Sequence, residues 1–283
     1  MKGGGRKMKG ISISFLILPL TILTFCSPAF PFCSVTDYGA VPDDLIDDSV
    51  AFNAAFTEGG FVFVPKGTYY IRHPLHIPDG IILWGENRRF TVLVVEGPED
   101  KAIEIEGENV SLCNLIIQNV SANIGIYSNN KPRLCIQNCY ILNFRIAGIY
   151  IEGVEYGGYS HISDSYIGGN RIGVVIMTNE VTISRCRFQS NEVFGVWIFH
   201  PSFQLSNVFV FDSIFETEER AIYSNAVNTV IFFNRFEKVN IMAVWVGESA
   251  RVILGYNYYS GVARKVVSLG GEWKDLDEEE QEH

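Results

Sequence analysis

Between residues 109 and 270, apolar residues come in short bursts separated by Gly, Asn, Ser and charged residues, and the bursts share a phrase. One series reads Gly125-Ile126-Tyr127, Gly148-Ile149-Tyr150, Gly173-Val174-Val175, Gly195-Val196-Trp197, Ala221-Ile222-Tyr223, Ala243-Val244-Trp245 and Lys265-Val266-Val267, at intervals of 22–26 residues. A second series runs ahead of it through Leu112, Ile136, Ile162, Ile183, Val210, Ile231 and Leu254. Three residues later come Leu115, Cys139, Ser165, Cys186, Ser213, Asn234 and Asn257. Two further on sit Ile117, Ile141, Ile167, Phe188, Phe215, Phe236 and Tyr259. Short β-branched segments repeated at this period predict coils of strand. One coil cannot bury its own inward side chains, so it stacks on the next at about 4.8 Å and like residues superpose as ladders. A leucine-rich repeat of similar period would need a recurring LxxLxLxxN phrase and a helix-like convex stretch, and neither is present. The expected fold is therefore all-β, a parallel β-helix (solenoid) with seven regular coils over 109–272.

The N-terminal region carries a different pattern. Val35-Thr36-Asp37-Tyr38-Gly39-Ala40-Val41-Pro42-Asp43-Asp44 leads into an alanine-rich run ending at Phe56. Gly59-Gly60, Phe61-Val62-Phe63-Val64-Pro65 and Gly67-Thr68-Tyr69 follow. Asp47 or Asp48 is placed to cap a short helix with Phe52 and Phe56 on one face at i, i+4, and that helix would cover the open end of the first coil. Over residues 35–71 this stretch resembles the N-terminal module of the pectate-lyase superfamily. That group has a right-handed β-helix and includes rhamnogalacturonase-like and epimerase-like domains and many phage tailspikes. The resemblance continues as coil period to about residue 270 and implies a right-handed coil and action on polysaccharide. Pro42-Asp43-Asp44-Leu45-Ile46 stands where the family usually has Gly-Asp-Gly-x-Thr. Residues 30–108 are expected to form the cap and first coils, and 30–272 a single domain.

Lys2, Arg6, Lys7 and Lys9 precede an apolar run from Ile11 to Phe25 and then Ser27-Pro28-Ala29. This is the layout of a secretory signal cut after Ala29, giving a secreted or extracytoplasmic protein. An uncleaved membrane anchor is the alternative, although the run is short for a spanning helix. The whole chain of 283 residues has a formal net charge of −10, and losing residues 1–29 removes four cations and no acid. An acidic chain with no basic cluster beyond residue 9 is not built to neutralise phosphates, so nucleic acid is excluded as a partner. Of the six cysteines, cleavage would remove Cys26 and leave Cys33, Cys113, Cys135, Cys139 and Cys186. These are odd in number and lack zinc spacing, so they read as structural thiols, with Cys139 and Cys186 in the core ladder. Asp275 to Glu280 is a like-charge run, and 273–283 is expected to be a disordered acidic tail.

Strand alternation turns Ile126, Ile149, Val174, Val196, Ile222, Val244 and Val266 inward, and with them the residues two positions on. Tyr127, Tyr150, Val175, Trp197, Tyr223, Trp245 and Val267 then face outward on one strip. Sugars stack C–H faces on aromatic rings, so Tyr127, Tyr150, Trp197, Tyr223 and Trp245 are candidate glycan-binding residues. Aromatics also suit strand surfaces generally, and the strip would equally serve as a surface buried under a loop or between subunits of a homo-oligomer.

The turn ahead of the strip carries Arg145, Arg171, Glu192, Glu218, Glu219 and Arg220. Superposed coils place Arg145, Arg171, Glu192 and Glu218 on one corner. A lyase needs a cation to neutralise a uronate and a base for the adjacent proton. A hydrolase needs two carboxylates at a defined separation. Glu192 and Glu218 are the acid/base candidates, with Arg145, Arg171 or Arg220 gripping an acidic sugar. Glu192, Glu218, Arg171 and Arg220 form the candidate catalytic set, and Arg145 is placed with the binding residues. Charges at exposed turns are also commonly just solvated.

The resemblance implies further motifs that are absent. The hydrolase branch has adjacent aspartates and a Gly-His-Gly turn on mid-coil strands. Here Asp-Asp occurs only at 43–44 and 47–48, and neither His161 nor His200 lies in such a turn. In the calcium-dependent lyase branch outward acids cluster on one strand. Asp164 and Asp212 are candidates, but Arg185 occupies the slot between them. His73 and His76 read as surface polar residues. No motif identifies a cofactor, and no metal ligands are assigned. Two functions remain: an exported lyase or hydrolase of an acidic polysaccharide such as pectin, and a non-catalytic module for glycan binding or surface assembly.

Overall fold

The computed structural model describes residues 31–97, 100–153, 159–199 and 206–279, so the expected signal segment lies outside the described residues. Three parallel sheets run the length of the molecule. Each coil supplies a strand to sheet A, then to sheet B, then to sheet C. Sheet A has eleven strands, from Phe32–Ser34 to Glu272–Asp275, and sheet B nine, from Gly67–Ile71 to Tyr258–Ser260. Sheet C also has nine, in order Leu75–Ile77, Lys101–Ile105, Ile124–Asn129, Ala147–Glu152, Ile172–Met177, Phe194–Ile198, Arg220–Ser224, Met242–Val246 and Val266–Ser268.

The recurring phrases are the inward columns of this coil. Leu112, Ile136, Ile162, Ile183, Val210, Ile231 and Leu254 stand in register in sheet A and are buried. The Ile126 series does the same in sheet C, with Val196 and Val244 fully buried. Only its last member, Val266, on the last strand of sheet C, is partly exposed. In sheet B, Phe188, Phe215, Phe236 and Tyr259 stack inside the coil with ring centroids 4.6, 5.2 and 5.2 Å apart, the spacing that parallel pairing imposes.

Two corners bound sheet B, each turned by a residue in the left-handed region. At the A–B corner these are Asn114, Asn138, Asp164, Arg185, Asp212, Phe233 and Tyr256. Asn and Asp suit this conformation because their short side chains hydrogen-bond locally. The next residue in each coil points inward and closes the turn. Cys139 N donates to Ser165 Oγ at 3.1 Å, Cys186 N to Ser213 Oγ at 3.1 Å, and Asn234 N to Asn257 Oδ1 at 2.9 Å. All five described cysteines are unpaired thiols. Burial pushes Cys139 and Cys186 up to about 12, as expected of apolar-like core residues.

Both ends are closed by local structure. Helix Ser49–Thr57 buries Phe52 and Phe56, and Phe52 meets Tyr69 edge-on at 5.5 Å. Its first-turn amide, Ser49 N, donates to Asp47 Oδ1 at 3.0 Å. Asp48, at the N-cap, instead accepts from Val41 N and Tyr70 N, tying the helix to the first coil. At the other end, residues 273–279, expected within the disordered acidic tail, form regular structure, while 280–283 lie outside the described residues. Glu272–Asp275 pairs with Arg251–Gly255 as the last strand of sheet A, and Leu276–Glu279 forms one helical turn. The exposed main chain of the Arg251–Gly255 strand offers that segment a full set of partners, and Arg251 Nε lies 3.3 Å from Glu272 Oε2.

Candidate functional site

Parallel register lines up one outward residue per coil on sheet C: His76, Glu104, Tyr127, Tyr150, Val175, Trp197, Tyr223, Trp245 and Val267. The five predicted aromatics are all in this row and are half-buried, while Val175 is buried between them. The row has an aromatic half and a polar half.

In the aromatic half, Trp197, Tyr223 and Trp245 join Phe194, Phe199 and Leu269 around a shallow depression of ≈ 370 Å³. Phe194 is its centre, with ring centroids 6.2 Å from Trp197, 5.9 Å from Tyr223 and 6.2 Å from Trp245. Tyr223 and Trp245 meet edge-to-face at 5.5 Å, so their rings do not collapse into one flat stack. The indole N–H of Trp245 has no acceptor among the described residues. Burial raises the phenol pKa of Tyr223 above its ordinary value, so the hydroxyl stays a neutral donor and acceptor. Strict alternation would turn Phe194 inward with Val196, but the strand departs from period two at Gly195 and both Phe194 and Trp197 face out. The glycine is required there, because a Cβ on it would come 2.9 Å from both the Ala221 carbonyl and the Phe215 ring.

The polar half was not anticipated. Tyr127 donates to Glu152, two residues past Tyr150 on the next strand, and Tyr150 donates to Met177 Sδ at 2.8 Å. Lys101 Nζ stands 3.7 Å from the Tyr127 ring centroid and 3.0 Å from Glu104 Oε1. Burial and the Glu152 hydrogen bond both push the Tyr127 phenol well above its ordinary value, which makes it a hydrogen-bond donor and not a ready base. His76 Nδ1 lies 2.7 Å from Glu106 and 3.9 Å from Glu104. These three groups lie within 4.8 Å of one another, the spacing of a cation site, although Lys101 already neutralises one oxygen of Glu104. Their signal in the sequence was present, as outward positions of the same strip in earlier coils, but lay ahead of the region where the repeat phrase is regular.

The predicted acid/base corner does not assemble. Arg145, Arg171 and Glu192 are exposed at the B–C corner. Glu218 is not beside them. It is fully buried, its Oε1 accepting from Asn191 N at 3.1 Å and Asn191 Nδ2 at 3.0 Å. It continues an inward ladder in which Asn170 Nδ2 donates to Asn191 Oδ1 at 3.1 Å and Phe144 N to Asn170 Oδ1 at 2.9 Å. Glu218 stands three residues past Phe215, as Asn191 stands three past Phe188 and Asn170 three past Ile167, and this is the ladder position. The connection from Phe215 to Ile222 is seven residues against eight from Phe188 to Val196, so counting back from the strip aligns Glu218 with Glu192. Glu219, exposed, takes the corner slot instead. Burial pushes the Glu218 carboxyl up to about 8, and its Oε2 has no partner among the described residues. Glu192 and Glu218 therefore do not face each other across a substrate. Arg220 points outward, its guanidinium 5.7 Å from the Phe194 ring and 3.5 Å from Glu219 Oε2, so it borders the aromatic depression.

Comparison with known proteins matches these features to two family models. One described as a right handed beta helix region covers residues 79–260. One described as rhamnogalacturonase A/epimerase, pectate lyase-like, covers residues 32–97. The chain is similar to a glucan 1,3-beta-glucosidase of Cochliobolus carbonum, 28% identical in an alignment 207 positions long that covers 58% of this chain and 26% of that protein. Among solved structures it resembles ORF18 of Geobacillus virus E2 (TM-score 0.63, 16% identity, 86% of this chain and 60% of that one). It also resembles the tailspike protein of E. coli bacteriophage HK620, a double mutant in complex with a pentasaccharide (TM-score 0.60, 10% identity, 86% and 63%). The matched segments span only 18–26% of the length of the curated relatives.

Proposed function

We infer, for a chain that belongs to the right-handed β-helix family, that it is an exported protein which binds an extended polysaccharide along the outer face of sheet C. The observation that carries this reading is the aromatic depression around Phe194, where Trp197, Tyr223 and Trp245 remain partly open to solvent on consecutive coils. Ring faces there can stack on pyranose C–H faces, while the Tyr223 hydroxyl and the Arg220 guanidinium can meet sugar hydroxyls. A row running along the coil axis suits a linear chain better than a compact ligand. Arg145 and Arg171 line the adjoining corner and would favour acidic sugars along that border. The relatives support a glycan role: one is named a glucosidase, and a tailspike of the same fold holds a pentasaccharide. Binding is the better supported activity, because the buried Glu218 leaves Glu192 without the facing carboxyl that two-carboxylate hydrolysis requires.

Titration of the full chain against a panel of acidic and neutral polysaccharides, followed by Trp fluorescence and calorimetry, tests the reading. Trp197→Ala and Trp245→Ala should each weaken binding about tenfold, the loss of one stacking contact. Unchanged affinity in both variants would remove the sheet C site. Release of new reducing ends or of unsaturated product would replace binding by cleavage.

A further inference from the structure

A second cleft lies on a different part of the surface, at the A–B corner near the N-terminal end. Eight of the nine A–B connections are two residues long. The ninth, between Ile82–Gly85 and Thr91–Val95, has five, Glu86 to Phe90. The fold does not need the extra three residues, yet they are tightly ordered: Phe90 N and Thr91 N both donate to the Asn87 carbonyl, and Arg89 N donates to Asn87 Oδ1 at 2.9 Å. This excursion sends Arg88 across two coils. Its Nη1 donates to Asn138 Oδ1 at 2.5 Å and lies 3.5 Å from the Asp164 carbonyl, and its guanidinium sits 5.5 Å from the Tyr140 ring.

The result is a cleft of ≈ 530 Å³ between Trp84 and the row Gln137, Asn138, Asp164 and Arg185. That volume is in the range of small-ligand clefts. Trp84 is 37% exposed and presents an indole to it. The planar amide, carboxylate and guanidinium groups opposite are the kind that meet vicinal hydroxyls in pairs. Asp164 is already neutralised by Arg185 through bonds of 2.7 and 2.8 Å. Arg88 has no carboxylate within ion-pair distance among the described residues. On a chain of formal net charge −10, a cation held in place without a counter-charge calls for an anionic group on the ligand.

We propose that this corner cleft is a second carbohydrate site, specific for a hexuronate residue whose ring stacks on Trp84 and whose carboxylate pairs with Arg88. Gln137, Asn138 and the Asp164–Arg185 pair then meet the ring hydroxyls. The cleft shares no residue with the sheet C depression, so the two sites stand or fall separately.

Calorimetric titration of the full chain with hexagalacturonate, hexamannuronate and cellohexaose tests the proposal. It is repeated on the Trp197→Ala/Trp245→Ala variant, which lacks the sheet C platform. Both uronate probes should bind that variant, more weakly as salt rises, and cellohexaose should bind it at least tenfold less well. Adding Arg88→Gln or Trp84→Ala should lower uronate affinity about tenfold at unchanged melting temperature, and Trp84→Phe should restore most of the loss. Affinity unaffected by Arg88→Gln and Trp84→Ala overturns the proposal. So does equal binding of cellohexaose, or no detectable binding of either uronate. If instead the platform variant binds like the parent while Arg88→Gln still weakens it, the sheet C reading fails and this one survives.

Discussion

Glu218 shows how much one side chain in a ladder can matter. It occupies a position that Asn170 and Asn191 fill in the two preceding coils, and it supplies the acceptor their pattern needs. A carboxyl enclosed there avoids ionisation, and burial raises it from 4.5 to about 8. The unfolded chain releases this proton near its ordinary value while the folded chain keeps it. Stability from this group is thus complete below about pH 4.5, falls through neutral pH, and is fully lost above about pH 8. The total is on the order of 5 kcal/mol. Urea unfolding at about pH 5 and about pH 9 should show the wild-type midpoint dropping with pH, and Glu218→Gln should flatten that dependence. An equal slope in both proteins would mean the carboxyl is ionised in the fold. The same residue also explains why a charge pattern misleads. Arg145, Arg171 and Glu192 are exposed as turn charges usually are, whereas Glu218 is neutral and structural.

At the level of the element, consecutive B–C corners are held by side chains standing in for main chain, through Asn170, Asn191 and Glu218. Asn191 accepts from Asn170 N and Nδ2, and donates to the Ile167 carbonyl and to Glu218. Asn191→Ala removes all of these and leaves buried donors and acceptors without partners, at a cost of about 2–3 kcal/mol. Chemical denaturation measures it directly, and a loss below about 1 kcal/mol would show that water replaces the amide. The strand that follows, Phe194–Ile198, carries two of the rings of the depression, so the corner also positions the candidate site. Its outward Phe194 was hidden from a period-two reading because the departure from alternation at Gly195 is a property of the strand and its neighbours.

Across the whole molecule, strands pair only with those of adjacent coils, so stability is largely a sum of local interfaces with weak points at the ends. The N-terminal end is closed by Phe52 and Phe56. Phe52→Ala should cost about 3–5 kcal/mol. Hydrogen exchange should then speed up first in the coil containing Phe61–Val64 and Gly67–Ile71, with Ile172–Met177 still protected. Uniform loss of protection would indicate that the coils unfold as one unit. The inward columns of all three sheets, the cap helix and the aromatic row could be read from the chain alone, because each depends on spacing repeated coil after coil. Val196 and Val244 had to point inward if their like neighbours did. What the chain alone did not determine were the features on which coils differ: the burial of Glu218 in the inward ladder, the Tyr127–Glu152–Lys101 cluster, the last strand Glu272–Asp275, and the excursion that carries Arg88 to Asn138. A repeat sets where equivalent residues superpose. Contacts between non-equivalent residues, 25 or 50 positions apart, depend on the stagger of particular turns, and only the folded coil brings those into register.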